Sequence, residues 1–459
     1  MAGIGFQLRK ILKRDSLSSD LSAYVYAGII SAGPLILSIL GILLIGVLSL
    51  GVVDPPVLIV QFQVSVTYLI SFSLVITGAV QLLFTRFISD RLFQNQPDRV
   101  LPNYNGMMVV TTLATGLLGL FLAVAAFGGV SPVYRVLMVM GFVIVSNIWI
   151  CIIFLASIKR YSIILFAFFI GYAMTVAVAV SLNRYGLEGL MAGFVAGHAV
   201  LLACMTAVMH RDHASGHRQY MAFEVFDRRY AYPSLVMVGL LFNLGVWLDK
   251  FMFWFSETGS DVIGPLRASV IYDLPVFISY LCIIPGMAVF LLRLETDFAD
   301  SYNGYYAAVR NGGTLSHIRQ MRNDMVRSAR AGLYDILKIQ AVVTLLIFAF
   351  GDKLLEAVGI SSLYLPLLQI DVVAASLQVL FLGCLNIFLY LDRRGIVLGL
   401  TVLFAGLNGV LTWATLEIGP NAYGYGFAGA LVVVVFLAVF VLNRSFDRLE
   451  YETYMLQKV

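Results

Sequence analysis

Twelve separate stretches of this chain are each apolar over about the 20 residues that a helix needs to cross a bilayer. They run 24–50, 57–84, 107–127, 133–157, 161–182, 188–209, 232–255, 266–291, 333–350, 366–390, 396–416 and 424–442. A fold surrounded by water cannot hide so much apolar surface. Only 12% of the residues are charged, where a soluble domain carries about 25%. The mean hydropathy of +0.91 agrees. Backbone groups in lipid must be paired within their own segment or in a closed barrel. The runs are continuously apolar, without the alternation of barrel strands. The fold class is therefore an all-α integral membrane protein of about 12 transmembrane helices.

The basic residues orient the helices. Of the 30 Lys and Arg, all but Arg135, Arg184, Lys250, Arg267 and Lys353 fall in the N-terminal arm, the even-to-odd connections (with the start of span 9) and the C-terminal tail. Excess Lys and Arg mark the cytoplasmic side, so both termini are expected there. The first apolar run is too long for a cleaved signal peptide and lacks a clear cleavage site. Ahead of it, Ile4, Leu8, Ile11 and Leu12 share a helical face beside Arg9, Lys10, Lys13 and Arg14. This arm reads either as an amphipathic helix on the inner leaflet or as a plain topology signal.

The chain repeats itself. Phe154-Leu155-Ala156-Ser157-Ile158-Lys159-Arg160 closes span 4, and Phe388-Leu389-Tyr390-Leu391-Asp392-Arg393-Arg394 closes span 10. Tyr185-Gly186-Leu187-Glu188-Gly189 opens span 6, and Tyr425-Gly426-Phe427-Ala428-Gly429 opens span 12. The order of the matches predicts two six-helix bundles related by a parallel repeat, an arrangement common in transporters. The domains read as an arm at 1–23, a first bundle at 24–209, a cytoplasmic linker at 210–231, a second bundle at 232–442 with a cytoplasmic loop at 292–334, and a tail at 443–459. In that loop, Leu315, Ile318, Met325, Ala329 and Leu333 fit one helical stripe, with Arg319, Arg322, Arg327 and Arg330 beside it. Such a helix lies on anionic lipid or docks a cytoplasmic partner.

No phosphate-binding G-x-x-x-x-G-K-[ST] loop and no H-E-x-x-H motif occurs. His210, His213 and His217 cluster, but among arginines and without a cysteine, which favours solvated histidines over a metal site. Cys151, Cys204, Cys282 and Cys384 are isolated and read as small packing residues. No cofactor is expected.

Ionisable residues inside the spans matter more, because a charge in hydrocarbon costs roughly 2.5–3.5 kcal/mol on insertion scales and usually faces a polar cavity or a partner. Asp249 and Lys250 lie in span 7, Asp273 in span 8 near Arg267, and Asp371 in span 10 beside Gln369. Each Asp sits about six residues from the outer end of its span, roughly 9 Å deep. The acids either form one polar layer facing a transport path or neutralise Lys250 and Arg267. Asp371 has no cation nearby in sequence and is the best candidate for a proton- or cation-coupled role. The first half offers Gln61, Gln63, Gln81, Asn147 and His198; its amides suit a hydroxylated cargo, because they both donate and accept. Gly33-Pro34, Pro275 and Pro285-Gly286 are candidate helix breaks.

Several stretches resemble one family. The opening MAGIGFQLRKILKRDSLSSDLSAYVYAGIISAGPLILSILGI, with FDRRYAYPSL, LGVWLDKFMFW, YDLPVFISY and LETDFADSY, is similar to the PelG family of bacterial exopolysaccharide transporters. The resemblance covers the whole chain. It implies membership of, or similarity to, the multidrug/oligosaccharidyl-lipid/polysaccharide exporter superfamily, with two six-helix bundles around a cavity lined by spans 1 and 7. It also implies an inner-membrane complex for biofilm matrix, with the cytoplasmic glycosyltransferase PelF, the cyclic di-GMP receptor PelD and the scaffold PelE. The function expected is non-enzymatic export of Pel polysaccharide, an N-acetylhexosamine polymer, or of its precursor. Alternatives are a coupled exporter of small amphipathic molecules, a membrane glycosyltransferase, and a scaffold for a cytoplasmic glycosyltransferase. The short outer loops and the lack of a nucleotide-sugar domain argue against the membrane glycosyltransferase.

Overall fold

The computed structural model describes residues 24, 26–29, 37–39, 41–42, 44–49, 53–158, 160–212, 219–227, 232–357 and 359–455. Within them the chain is almost entirely helical. The helices are α1 (Val57–Phe93), α2 (Val100–Ala125), α3 (Pro132–Ser157), α4 (Tyr161–Ser181), α5 (Gly186–Asp212), α6 (Pro233–Trp254), α7 (Val270–Leu281), α8 (Ile284–Leu292), α9 (Ala299–Arg310), α10 (Leu315–Ala357), α11 (Leu365–Tyr390), α12 (Arg394–Ile418), α13 (Tyr425–Asp447) and α14 (Leu449–Met455). Among the described residues, 11 helical runs are long and apolar enough to cross a membrane, and they account for spans 2–12. Span 1 is helical where it is described, within residues 37–49 and at 26–29. The N-terminal arm, Gly33, Pro34, His213 and His217 lie outside the described residues.

Packing divides the chain into two compact units. The first holds Gly33–Trp247 and Phe253–Ser269; the second holds Leu248–Met252 and Val270–Val459, with the residues before 33.

In the first unit, α5 carries Gly189, Gly193 and Gly197 at four-residue spacing. A Cβ on Gly193 would fall 2.5 Å from Ala179 Cα, and one on Gly197 2.6 Å from Gly171 O, so α4 and α5 touch backbone to backbone. Small residues permit this approach where lipid gives no hydrophobic drive to association. Phe84, Phe87, Tyr104, Cys151, Phe154 and Met205 fill one core at one end of this unit, and Phe62, Tyr134, Met191 and Phe194 fill another. A short antiparallel hairpin, Ser260–Ile263 with Leu266–Ala268, turns at Gly264 (φ +54°). It packs on α1, where Tyr68 Oη donates to Arg267 O at 2.9 Å and accepts from its N–H at 3.2 Å. Span 8 therefore begins at Val270, and the residues before it form the second strand.

In the second unit, span 8 is divided between Leu281 and Ile284 into α7 and α8. Pro275 lies inside α7, and Pro285 stands in the first turn of α8, where its missing N–H costs nothing. Arg293–Phe298 then winds as a π-helical turn before α9. The basic segment at 315–333 is the first half of the 43-residue α10, about 65 Å long at 1.5 Å per residue. Part of its apolar stripe faces inward, while Leu315 and Arg327 are exposed. Ile318, Met325, Ala329, Gly332 and Ile336 are buried, and Gly332 leaves room for the side chain of Leu294. Arg319 and Arg322 reach Glu450 on α14 at 3.8 and 3.5 Å. Arg330 donates to Asn443 at 3.2 Å. The helix docks on its own chain.

The internal repeat recurs in backbone detail. Arg160 and Arg393 each precede a helix, at φ −95°, ψ 48° and φ −86°, ψ 54°. Each donates its N–H to the carbonyl five residues back, Leu155 at 2.8 Å and Phe388 at 2.9 Å. The turn thus equates Arg160 with Arg393, one residue away from the alignment of the letters, which matched Arg160 with Arg394.

Candidate functional site

Two of the expected acids of the second unit, Asp249 and Asp371, lie near one another. Asp249, near the end of α6, is wholly buried, and its neighbour Lys250 is 3% exposed. Lys250 Nζ lies 3.1 Å from Asp249 Oδ2 and 3.3 Å from Oδ1. Tyr272 of α7 donates to Oδ2 at 2.6 Å, and Asn408 of α12 donates to Oδ1 at 3.3 Å. Thr412, one turn on, donates to Asn408 Oδ1 at 2.9 Å and fixes the amide with its nitrogen toward the carboxylate. Gly409 brings α12 close to Leu248. Three donor groups, making four contacts, thus hold the Asp249 carboxylate, which a buried charge requires.

Lys250 has partners beyond Asp249. It donates to Tyr280 Oη at 3.2 Å, and its Nζ stands 4.5 Å from the centre of the Phe427 ring and 5.0 Å from that of Tyr280. A desolvated ammonium over an aromatic face gains about 2 kcal/mol or more. Tyr280 in turn donates to Gln378 Oε1 on α11 at 3.0 Å. A continuous polar chain runs from Thr412 through Asn408, Asp249, Lys250 and Tyr280 to Gln378. It ties α6, α7, α11 and α12 together.

Asp371 of α11 contrasts with Asp249. It is 2% exposed, and among the described residues neither carboxylate oxygen has a hydrogen-bond partner. It lies within electrostatic reach of Lys250 and Asp249. Gly424, at φ +83°, is the residue beside it: a Cβ there would come 3.1 Å from Asp371 Oδ1. The pocket around this acid is therefore tight, and it brings two carboxyl groups, Asp371 and Asp249, together with one ammonium, Lys250.

The other expected residues are placed apart from this cluster. Asp273 follows Tyr272 on α7 and is half-buried. Gln369 is also half-buried, and two residues from Asp371 it cannot share that residue's face of the helix. In the first unit, Gln61 donates to Val262 O of the hairpin at 3.0 Å, and Gln81 donates to Thr77 at 3.1 Å. Gln63 is exposed. Asn147 is buried and donates to Thr112 and to Val143 O, each at 2.9 Å. His198 packs 3.8 Å from the Phe194 ring, with its nitrogens against Phe194 O and Tyr172 Oη. Arg267 pairs with Asp261 across the hairpin at 3.0 Å. His210 bonds Thr206 O at 2.9 Å. Among the described residues no group of three or more His, Cys, Asp or Glu is placed to hold a metal.

Sequence reasoning missed Tyr272, Tyr280, Gln378, Asn408 and Thr412. Their signal was available. YDLPVFISY begins and ends with the two tyrosines, eight residues apart on either side of Pro275, and Asn408 and Thr412 are one helical turn apart within span 11.

The model of the PelG family, described as "Putative exopolysaccharide Exporter (EPS-E)", matches residues 1–454. No curated protein matches the chain. Among solved structures, the chain is similar to an outward-facing multidrug resistance MATE family transporter of the MOP superfamily (TM-score 0.67, 12% identity, covering 93% of this chain and 96% of that one). It is also similar to a MATE in the bent conformation (TM-score 0.64, 12% identity, 97% and 98% covered). A third is a MOP superfamily transporter from Pyrococcus furiosus, described as having a binding pocket of reverse polarity (TM-score 0.60, 11% identity, 93% and 96% covered). At these identities the likeness shows a shared fold.

Proposed function

The chain belongs to the PelG family of exopolysaccharide exporters, and we propose that it carries Pel polysaccharide, as a growing N-acetylhexosamine chain or its precursor, from the cytoplasm across the bacterial inner membrane. It is a multipass membrane transporter in family and fold. In this reading both termini are cytoplasmic, and the chain performs no covalent chemistry of its own. The polymer arrives from the glycosyltransferase PelF, and PelD and PelE are the membrane partners that hold the synthase at the exporter.

One observation carries the mechanistic part: Asp371 is buried with both oxygens unpartnered, beside an Asp249–Lys250 pair that is fully furnished. A lone buried carboxylate is costly, so it takes up either a proton or a cation. Asp371 is the coupling residue, loaded on one side of the membrane and released on the other. Lys250 is the fixed counter-charge that balances Asp249 throughout. The remaining candidates, Asp273, Gln369, Gln61, Gln63, Asn147 and His198, are polar points along the path, and Pro275 and Pro285 of span 8 are its bending points.

The test is complementation. Cells lacking the chain are expected to make polymer that stays inside, and the wild-type chain restores polymer in the medium. Asp371→Asn, produced at the wild-type level, leaves it inside. Secretion at the wild-type rate by this variant would remove the coupling role; secretion without the chain at all would remove the export role.

A further inference from the structure

The stretch LETDFADSY, which contributed to the family resemblance, takes no part in the Asp249–Asp371 cluster. It forms the π-helical turn and the start of α9 in the second unit. Glu295 lies on this turn. Asn386 Nδ2 donates to its Oε1 at 2.9 Å, and Tyr390 Oη donates to its Oε2 at 3.3 Å. A carboxylate has about four acceptor positions, so capacity remains. The Oδ1 of Asn386 has no hydrogen-bond partner among the described residues. Around this acid stand three tyrosines, each half-buried. The Tyr302 ring centre is 4.6 Å from that of Tyr306 and 5.4 Å from that of Tyr390. Buried Phe298 supports the group from beneath, edge-on to Tyr390 at 5.5 Å.

The internal repeat shows that this cluster is built in one half only. Arg293 and Asp297 pair at 3.0 Å four residues apart, as Arg86 and Asp90 do at 3.1 Å on the unbroken α1 of the first half. Between them the second half has Glu295 where the first has Ile88. Aligned on the matching turns at Arg160 and Arg393, Asn386 and Tyr390 correspond to Ile153 and Ser157. Where the first half has two isoleucines and a serine, the second has an acid, an amide and a phenol, and the helix that carries the acid contains a π-turn. Such turns are rare and often accompany functional sites. Half-exposed aromatic faces with a few placed polar groups are the lining of a small-ligand site. A pyranose ring matches both parts, with its C–H face against the rings and its hydroxyl and amide N–H groups directed to the carboxylate.

We propose that Glu295, Asn386, Tyr302, Tyr306 and Tyr390 form a saccharide-binding station, at the end of the second unit where polymer first meets the transporter. The station rests on the export reading for its ligand class and for the cytoplasmic placement of that end. It holds one sugar residue by ring stacking and hydrogen bonds.

The experiment uses the full chain in detergent, titrated with tetramers of N-acetylglucosamine and of N-acetylgalactosamine and followed by saturation-transfer NMR and calorimetry. The wild-type chain is expected to bind at least one of them. Tyr302→Leu and Glu295→Gln are expected to weaken binding about tenfold or more, while Tyr302→Phe, which keeps the ring, retains it within about threefold. Asp371→Asn is expected to bind as wild type while failing to secrete polymer. Tyr302→Leu and Glu295→Gln chains that bind both tetramers as wild type does would overturn the station and leave the export reading intact. A wild-type chain that secretes polymer yet binds neither tetramer would overturn the station as well. Tetramer binding lost in these variants from a chain that secretes nothing would retain the station and remove the export reading.

Discussion

Asp249 and Asp371 are equally buried and oppositely furnished: Asp249 accepts from Tyr272, Lys250 and Asn408, whereas Asp371 has no hydrogen-bond partner on either oxygen among the described residues. In the proposed reading one is a structural charge and the other a reactive one.

Removing one member of the Asp249–Lys250 pair strands the other in an apolar site, at a cost of about 3–5 kcal/mol. Asp249→Asn and Lys250→Met are each expected to lower the thermal midpoint in detergent. The double variant is expected to recover most of the loss. Losses that simply add would show that the two groups are not coupled.

Tyr272→Phe deletes a hydrogen bond to a buried carboxylate and retains the ring. A bond to a charged group contributes about 1.5–3 kcal/mol. The expected outcome is a lower thermal midpoint with Asp249 unchanged in sequence, and no further loss when Tyr272→Phe is combined with Asp249→Asn. A full additional loss in the combined variant would place Tyr272 outside the cluster.

Asp371→Asn replaces an unpartnered charge by a neutral side chain of the same size. Stability is expected to hold or rise, while export fails. Scanning the thermal midpoint beside secretion distinguishes this from misfolding. A variant that loses both in parallel would make Asp371 a structural residue.

Gly193→Leu drives a side chain into Ala179 of α4, and overpacking costs typically 1–3 kcal/mol or more where backbone cannot shift. Gly399→Leu on α12, where nothing lies within 4 Å, is the control and is expected to be neutral. Equal midpoints for the two would show that α4 and α5 tolerate separation.

Orientation is tested in intact cells with the native cysteines replaced. Asp261 and Arg327 have side chains 86% and 82% exposed. Asp261→Cys is expected to react with a membrane-impermeant thiol reagent applied outside, and Arg327→Cys only after permeabilisation. The reverse pattern would invert the topology.

The helices were legible because hydrocarbon imposes one rule, about 20 apolar residues with every backbone group paired inside the segment. Asp249, Lys250 and Asp371 stood out for the same reason, since charge is rare in lipid. The partners that distinguish them were not legible. Tyr272, Tyr280 and Asn408 are ordinary residues of membrane helices, and only the geometry of the Pro275 helix and the close approach at Gly409 bring them to the acids. The basic stripe of α10 misled for a related reason. A helix that covers its own chain has the same amphipathic pattern as one that lies on lipid, and Glu450, the acid that neutralises it, is 128 residues from Arg322. The hairpin at 260–268 was hidden by its length, since four- and three-residue strands leave no periodicity to read.

Export itself is tested most directly by reconstituting the chain with the glycosyltransferase in sealed vesicles, supplying labelled nucleotide sugar on the enzyme's side and digesting with an external glycosidase. The account predicts that labelled polymer becomes protected across the bilayer with the wild-type chain and stays accessible with Asp371→Asn. Polymer that remains fully digestible with the wild-type chain would contradict it.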